Sequence, residues 1–196
     1  MANKDRPTGL KPVKHLNGNP WNGSFNMYRK TAAENFFIGT PVTLAGSADD
    51  SGKYPTVKLA GATAAILGSV VGFSNTPYLT ADVTDLDKVY SISTEDVYVA
   101  VADDPDLIFE IQEDSSTAFT IAAVGSNADL TTESGSTTTG KSSVEIDCAT
   151  ETTTSTLEVK ILRLVNREDN ALGDYAKWEV MINVHCYGQG VGAAGL

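Results

Sequence analysis

The stretch AKWEVMINVH, residues 176–185, alternates apolar and polar side chains without a break. In an extended chain Trp178, Val180, Ile182 and Val184 share one side, and Lys177, Glu179, Met181, Asn183 and His185 share the other. A period of two held over this length predicts a strand with one face in a core. Upstream, LEVKILRLV (157–165) alternates at first and becomes apolar on both faces at Ile161-Leu162. The link 166–175 carries Asn170 and Gly173-Asp174, residues that favour turns, so the two strands are expected to pair as a hairpin.

The same grammar extends outward. Val144, Ile146 and Cys148 alternate with Glu145 and Asp147. Val97, Val99 and Val101 share a face, as do Leu107, Phe109 and Ile111, while Glu110 and Gln112 are expected to face out. Asp103-Asp104-Pro105-Asp106 between these runs predicts a second hairpin, and its aspartates lack calcium-loop spacing. FFIGTPVTL (36–44), residues 56–59 and ILGSVVGF (66–73) are short β-rich runs broken by glycine, the pattern of a small barrel or sandwich. Thr, Val, Ser and Gly are plentiful and long amphipathic Leu/Lys/Glu stretches are missing, which favours pleated surfaces over helices. The expected fold is therefore all-β, made of small barrel or sandwich modules with antiparallel hairpins and at most a short helix near 117–124. The expected division is an extended N-terminal arm over 1–30, a barrel-like module over 31–114, and a second β module over 115–196 with a Ser/Thr-rich loop at 125–142. The Gly/Ala-rich tail from residue 188 is expected to move freely unless a partner holds it.

Charge separates the arm from the body. Net charge is −11, yet residues 1–30 hold six basic residues against Asp5 alone. An acidic body repels nucleic acid and anionic lipid. The arm contains Pro7, Pro12 and Pro20, which oppose regular structure, together with Trp21, Phe25 and Tyr28, which need a surface to lie on. It is expected either to wrap its own body or to dock on a partner. The N-terminus shows no signal peptide, and the apolar run 59–73 is too short to span a bilayer, so the expectation is a cytosolically made, soluble protein.

Chemistry-bearing motifs are scarce. Residues 135–142 (GSTTTGKS) match the phosphate-loop pattern letter for letter, but that chemistry needs a buried strand before the loop and a helix after it. Here polar residues precede the match and a strand pattern follows, so no nucleotide site is expected. His15 lies in the arm, and His185 is expected on the outward side of its strand. Cys186 points to the opposite face from its neighbour His185, and by parity Cys148 and Cys186 are expected to be small core residues. No nucleophile elbow, zinc-protease motif or C-x-x-C occurs. The expectation is a protein that is not an enzyme and has no cofactor and no metal.

The stretches 37–44, 66–73, 97–113 and 170–185 resemble a group of tailed-bacteriophage virion proteins encoded near the major capsid protein, which includes capsid cement, or decoration, proteins. The resemblance covers most of the body in patches and carries no catalytic residues. It implies a β-rich protein on the outside of the expanded capsid, often a homotrimer at three-fold or quasi-three-fold positions, whose partner is the major capsid protein and whose place is the virion exterior. On that basis the arm residues Lys11, Lys14, Trp21, Phe25, Tyr28, Arg29 and Lys30 are the candidate partner-binding set, with exposed strand edges as a second contact. A head fibre, minor head or tail protein, or a carbohydrate-binding β-sandwich, are the alternatives.

Overall fold

The computed structural model describes residues 3–31, 33–77 and 88–188. In chain order the strands are β1 (Lys11–His15), β2 (Asn26–Lys30), β3 (Phe36–Phe37), β4 (Pro41–Ala48), β5 (Pro55–Leu59), β6 (Gly68–Ser74), β7 (Tyr90–Ser91), β8 (Tyr98–Ala102), β9 (Leu107–Gln112), β10 (Asn127–Ala128), β11 (Gly135–Ser136), β12 (Lys141–Ser142), β13 (Val159–Leu164) and β14 (Lys177–Ile182). Short 3-10 turns at Ile121–Ala123 and Cys148–Thr150 are the helical elements among the described residues. The protein is all-β. The tail from residue 189 lies outside the described residues.

Five strands close a barrel in the order β2-β5-β4-β6-β8, and five form a sheet in the order β1-β9-β14-β13-β10. Each has its own core. Tyr28, Val42, Val57, Leu67, Val70, Phe73, Val99 and Val101 fill the barrel, and Leu10, Phe109, Ile111, Trp178, Val180 and Ile161 are among those packed under the sheet. The register explains the sheet. Pro12 opposes Phe109, Phe109 opposes Val180, and Val180 opposes Ile161, one apolar row across four strands. Trp178 is fully buried beneath it, donates from Nε1 to Glu113 Oε2 at 3.1 Å, and meets Phe119 edge-on at 5.7 Å.

The expected β13–β14 hairpin is present. Asn170 closes it, donating to the carbonyls of Val165 and Lys177 and accepting from the Lys177 N–H. The other expected hairpin does not form. β8 has both edges taken, by β2 and β6, whereas β9 pairs with β1 and β14. The valines of β8 belong to the barrel core and Leu107, Phe109 and Ile111 to the other, so the turn at 103–106 hands the chain from one sheet to the next. Asp103 anchors that crossing by accepting from Tyr28 and Asn26.

Residues 3–31 wrap their own body. β1 is an edge strand of the sheet and β2 completes the barrel by pairing with β5 and β8. The two modules meet along a seam at Leu10, whose N–H donates to Gly39 O and whose carbonyl accepts from Ser69 Oγ. At the seam Gly39 has φ of +90°, and a Cβ there would stand 2.0 Å from Thr8 O. Gly39→Ala is expected to cost about 2–5 kcal/mol through backbone strain and overlap together. Gly52→Ala, also at positive φ but with no atom within 4 Å of its Cβ, is expected to cost about 1 kcal/mol. Urea unfolding of the two variants beside the parent measures the difference; equal midpoints would show that the seam carries no strain.

Candidate functional site

The site is built on the outer face of the sheet. Every residue of β9 is buried, on both faces, although Glu110 and Gln112 were expected to face water. They lie on the outer face as alternation requires, but other segments cover them. Arg167, from the β13–β14 loop, donates to both carboxylate oxygens of Glu110 at 3.1 and 3.2 Å and to Asp169 at 2.5 Å. Residues 3–6 form a strap across the Gln112 end. The Arg6 N–H donates to Gln112 Oε1 at 2.9 Å, while Gln112 Nε2 donates to Asp5 at 3.0 Å and to Glu145 at 2.7 Å. Asn3 fixes the far end of the strap, donating to the carbonyls of Ala171 and Asp174 and accepting from the Ala171 N–H.

Between strap, barrel and sheet lies a cleft of about 410 Å³. Leu10, Trp21, Ile38, Val70 and Val71 make its apolar lining. Arg6, Lys11, Lys141, Arg167 and Lys177 bring five cations to it against one acid, Glu110. Lys4, Arg6, Arg167 and Lys177 line a second hollow of about 270 Å³, which shares the last three with the cleft. Six of the fourteen basic residues of a net-acidic chain therefore gather in one place. Four of those lining the cleft, Arg6, Lys11, Lys141 and Lys177, make no ion pair with a described residue. Burial pushes the Lys177 ammonium below its usual range, with Glu110 pulling the other way.

The structure brings only part of the candidate arm set to this site. Lys11 and Trp21 line the cleft. Lys14 is bound to Glu179 at 2.6 Å on the same sheet face, and Phe25 is half-buried outside the cleft. Tyr28 is buried in the barrel and donates to Asp103, Arg29 pairs with Asp96, and Lys30 is buried with its ammonium on the carbonyls of Glu34 and Ile92. Tyr28 and Lys30 thus serve the barrel and present nothing outward. The strand edges are taken too. Residues 19 and 21 bond to His15 and Val13 of β1, and Thr152 exchanges two hydrogen bonds with Asn127 of β10.

Two parity readings are corrected and one holds. His185 is buried, not outward, because β14 ends at Ile182 and the chain bends before His185 bridges Ile66. Cys186 leaves the Trp178 core for the barrel side, with its thiol near Ala65 O at 3.5 Å. Cys148 is buried with Val144 and Ile146. The phosphate-loop match is a β11–β12 hairpin with no helix after it, and its Lys141 lines the cleft. Arg6, Lys141, Arg167 and Lys177 went unselected in the sequence; their only signal there is being rare cations in an acidic chain. Comparison of the chain with models of protein families, with curated proteins and with solved structures found no match.

Buried carboxyls make the fold pH-dependent. Burial pushes Glu145 up to about 7, with Asp5 adding to it and the Gln112 hydrogen bond opposing it. Burial likewise pushes Glu158 up to about 7 against the hydrogen bond from the Leu130 N–H. Both raised groups bind more protons folded than unfolded between about pH 4.5 and 7, so stability is expected to fall as pH rises through that window. Below it the trend reverses as Glu179 protonates, whose burial is outweighed by the hydrogen bonds from Lys14 and Arg163 that hold it low. Thermal unfolding is expected several degrees higher at pH 5.5 than at pH 8, and Glu158→Gln is expected to flatten the slope. A parent Tm independent of pH between these values would refute the assignment.

Proposed function

We propose that this protein is a non-enzymatic structural component of a tailed-phage virion that binds the outside of the capsid and stabilises it by bridging major capsid protein subunits, with the basic cleft as its docking site. The observation that carries this reading is the convergence of cations from four separate segments, the strap and β1, the β11–β12 hairpin, the β13–β14 loop and β14, on one cleft of an otherwise acidic protein. A cement protein must attach firmly through one face while many copies coexist on a particle. A local basic site complements an acidic capsid patch and steers association, and the acidic remainder keeps neighbouring copies apart. The stretches resembling cement proteins supply β6, β9 and β14, which line or floor the cleft. The residues around it suit binding better than turnover, since they offer ammonium and guanidinium groups on an apolar surface and neither of the two histidines.

Removing residues 1–30 would take away β1 and β2 and with them one sheet edge and the barrel closure, so the intact chain is the proper reagent. Quantitative mass spectrometry of purified virions is expected to find it in numbers comparable to those of the major capsid protein. Its absence, or a few copies per particle, would refute the cement reading, and few copies would favour a head fibre, minor head or tail role.

A further inference from the structure

Resting on the docking role above, we propose that the cleft receives an extended acidic segment of the partner protein, its carboxylates met by Arg6, Lys11, Lys141 and Lys177 and an apolar side chain seated on Trp21 and Val71.

Elsewhere in this chain some cations have acidic partners, while Lys53, Lys58 and Lys160 pair with no described acid. Lys14 and Arg163 share Glu179, Arg29 holds Asp96, and Lys88 holds Glu95. What sets the cleft apart is that five cations share its lining with a single acid, in a chain with almost twice as many acids as bases. Arg167 alone is neutralised there, by Glu110 and Asp169, which orients it and leaves the other four in the lining without an acidic partner among the described residues. Four like charges held around a half-enclosed, partly apolar hollow repel one another, and an anion entering it removes that repulsion and is weakly screened by solvent. The backbone positions that carry these cations are set by the fold. Arg6 is set by its N–H on Gln112, Lys11 begins β1 opposite Glu110, and Lys141 sits in β12 beside Ile38. Backbone positions already gathered spare the entropy of bringing those segments together at the moment of binding.

The lining decides among anions. A lone phosphate or sulfate would satisfy the cations and leave the partly exposed Trp21, Ile38 and Val71 wet. A nucleic acid would run past the cleft onto a body that is acidic outside it, where its phosphates are repelled. A short polypeptide with carboxylates and one aliphatic or aromatic side chain uses both halves of the surface, and about 410 Å³ accommodates a few side chains. Trp21 is placed as an anchor for such a contact, since its indole N–H is already satisfied by Ser24 O at 3.0 Å and its ring packs on the sheet core.

The test uses the full chain labelled with ¹⁵N. It is titrated with a decapeptide of alternating Glu and Leu, with a single-stranded DNA decamer, and with inorganic phosphate. The peptide is expected to move the Lys11, Lys141 and Lys177 amides and the Trp21 indole signal saturably. Lys11→Glu with Lys141→Glu, both exposed positions, is expected to weaken it at least tenfold with the rest of the spectrum unchanged. No peptide binding, shifts outside the cleft, or equal binding of DNA or phosphate would overturn the proposal. So would self-association of the parent chain that the double variant abolishes, since the occupant would then be a second copy. Co-sedimentation with expanded capsids of the same phage separates the two ideas. If parent and double variant decorate capsids equally, the cleft proposal fails and the docking role stands. If the parent does not decorate them but the peptide binds the cleft, the docking role fails.

Discussion

The structure depends on how β9 is buried. Its six residues, LIFEIQ, are flanked by strands on both edges and covered on both faces, yet two of them are Glu110 and Gln112. A buried carboxylate or amide without partners costs more than most single contacts return, so each polar atom on that face must be met. Arg167 meets Glu110, and the strap with Glu145 meets Gln112. Those partners include residues 3–6 and a loop more than fifty positions beyond β9, and bringing them together folds the strap and that loop over the sheet. The cleft is what remains between that cover and the barrel.

This arrangement ties the site to the fold. Arg6 cannot shift without releasing Gln112, and Arg167 cannot swing out without stranding Glu110. The seam at Leu10 and Gly39 joins the barrel to the sheet on the cleft's own border, so both modules hold its walls. The strap and the loop that carry Arg6 and Arg167 are thus held to the sheet by the same contacts that satisfy its buried polar groups. The buried acids add a cost of their own: Glu145 lies beside Asp5, and its ionisation works against the strap that Gln112 secures.

Much of the site was out of reach of sequence pattern. The charge asymmetry of the first thirty residues singled out a segment that supplies Lys11 and Trp21 to the cleft. Tyr28, Arg29 and Lys30 belonged to the same basic, aromatic segment but form β2, whose alternation places Tyr28 and Lys30 inside the barrel. A five-residue strand with a lysine at its end gives little period to read, and a buried lysine solvated by two carbonyls has no sequence signature. Lys141 was concealed in a misleading nucleotide-loop match, and Arg167 and Lys177 looked like ordinary solvent-facing residues of a hairpin.

What the sequence determined by itself was local. Alternation over 176–185 and 157–165 specified two strands, their inward faces and, with Asn170 between them, their pairing, because side-chain parity and turn chemistry act over a few residues. The all-β class followed from the same short-range rules. Only the tertiary structure decided that β8 and β9 part company into two sheets, that the arm closes on its own body, that His185 turns inward, and that distant cations share a cleft. Each of these depends on which surface is left uncovered after the strands form, and that competition for burial is settled by the whole chain at once.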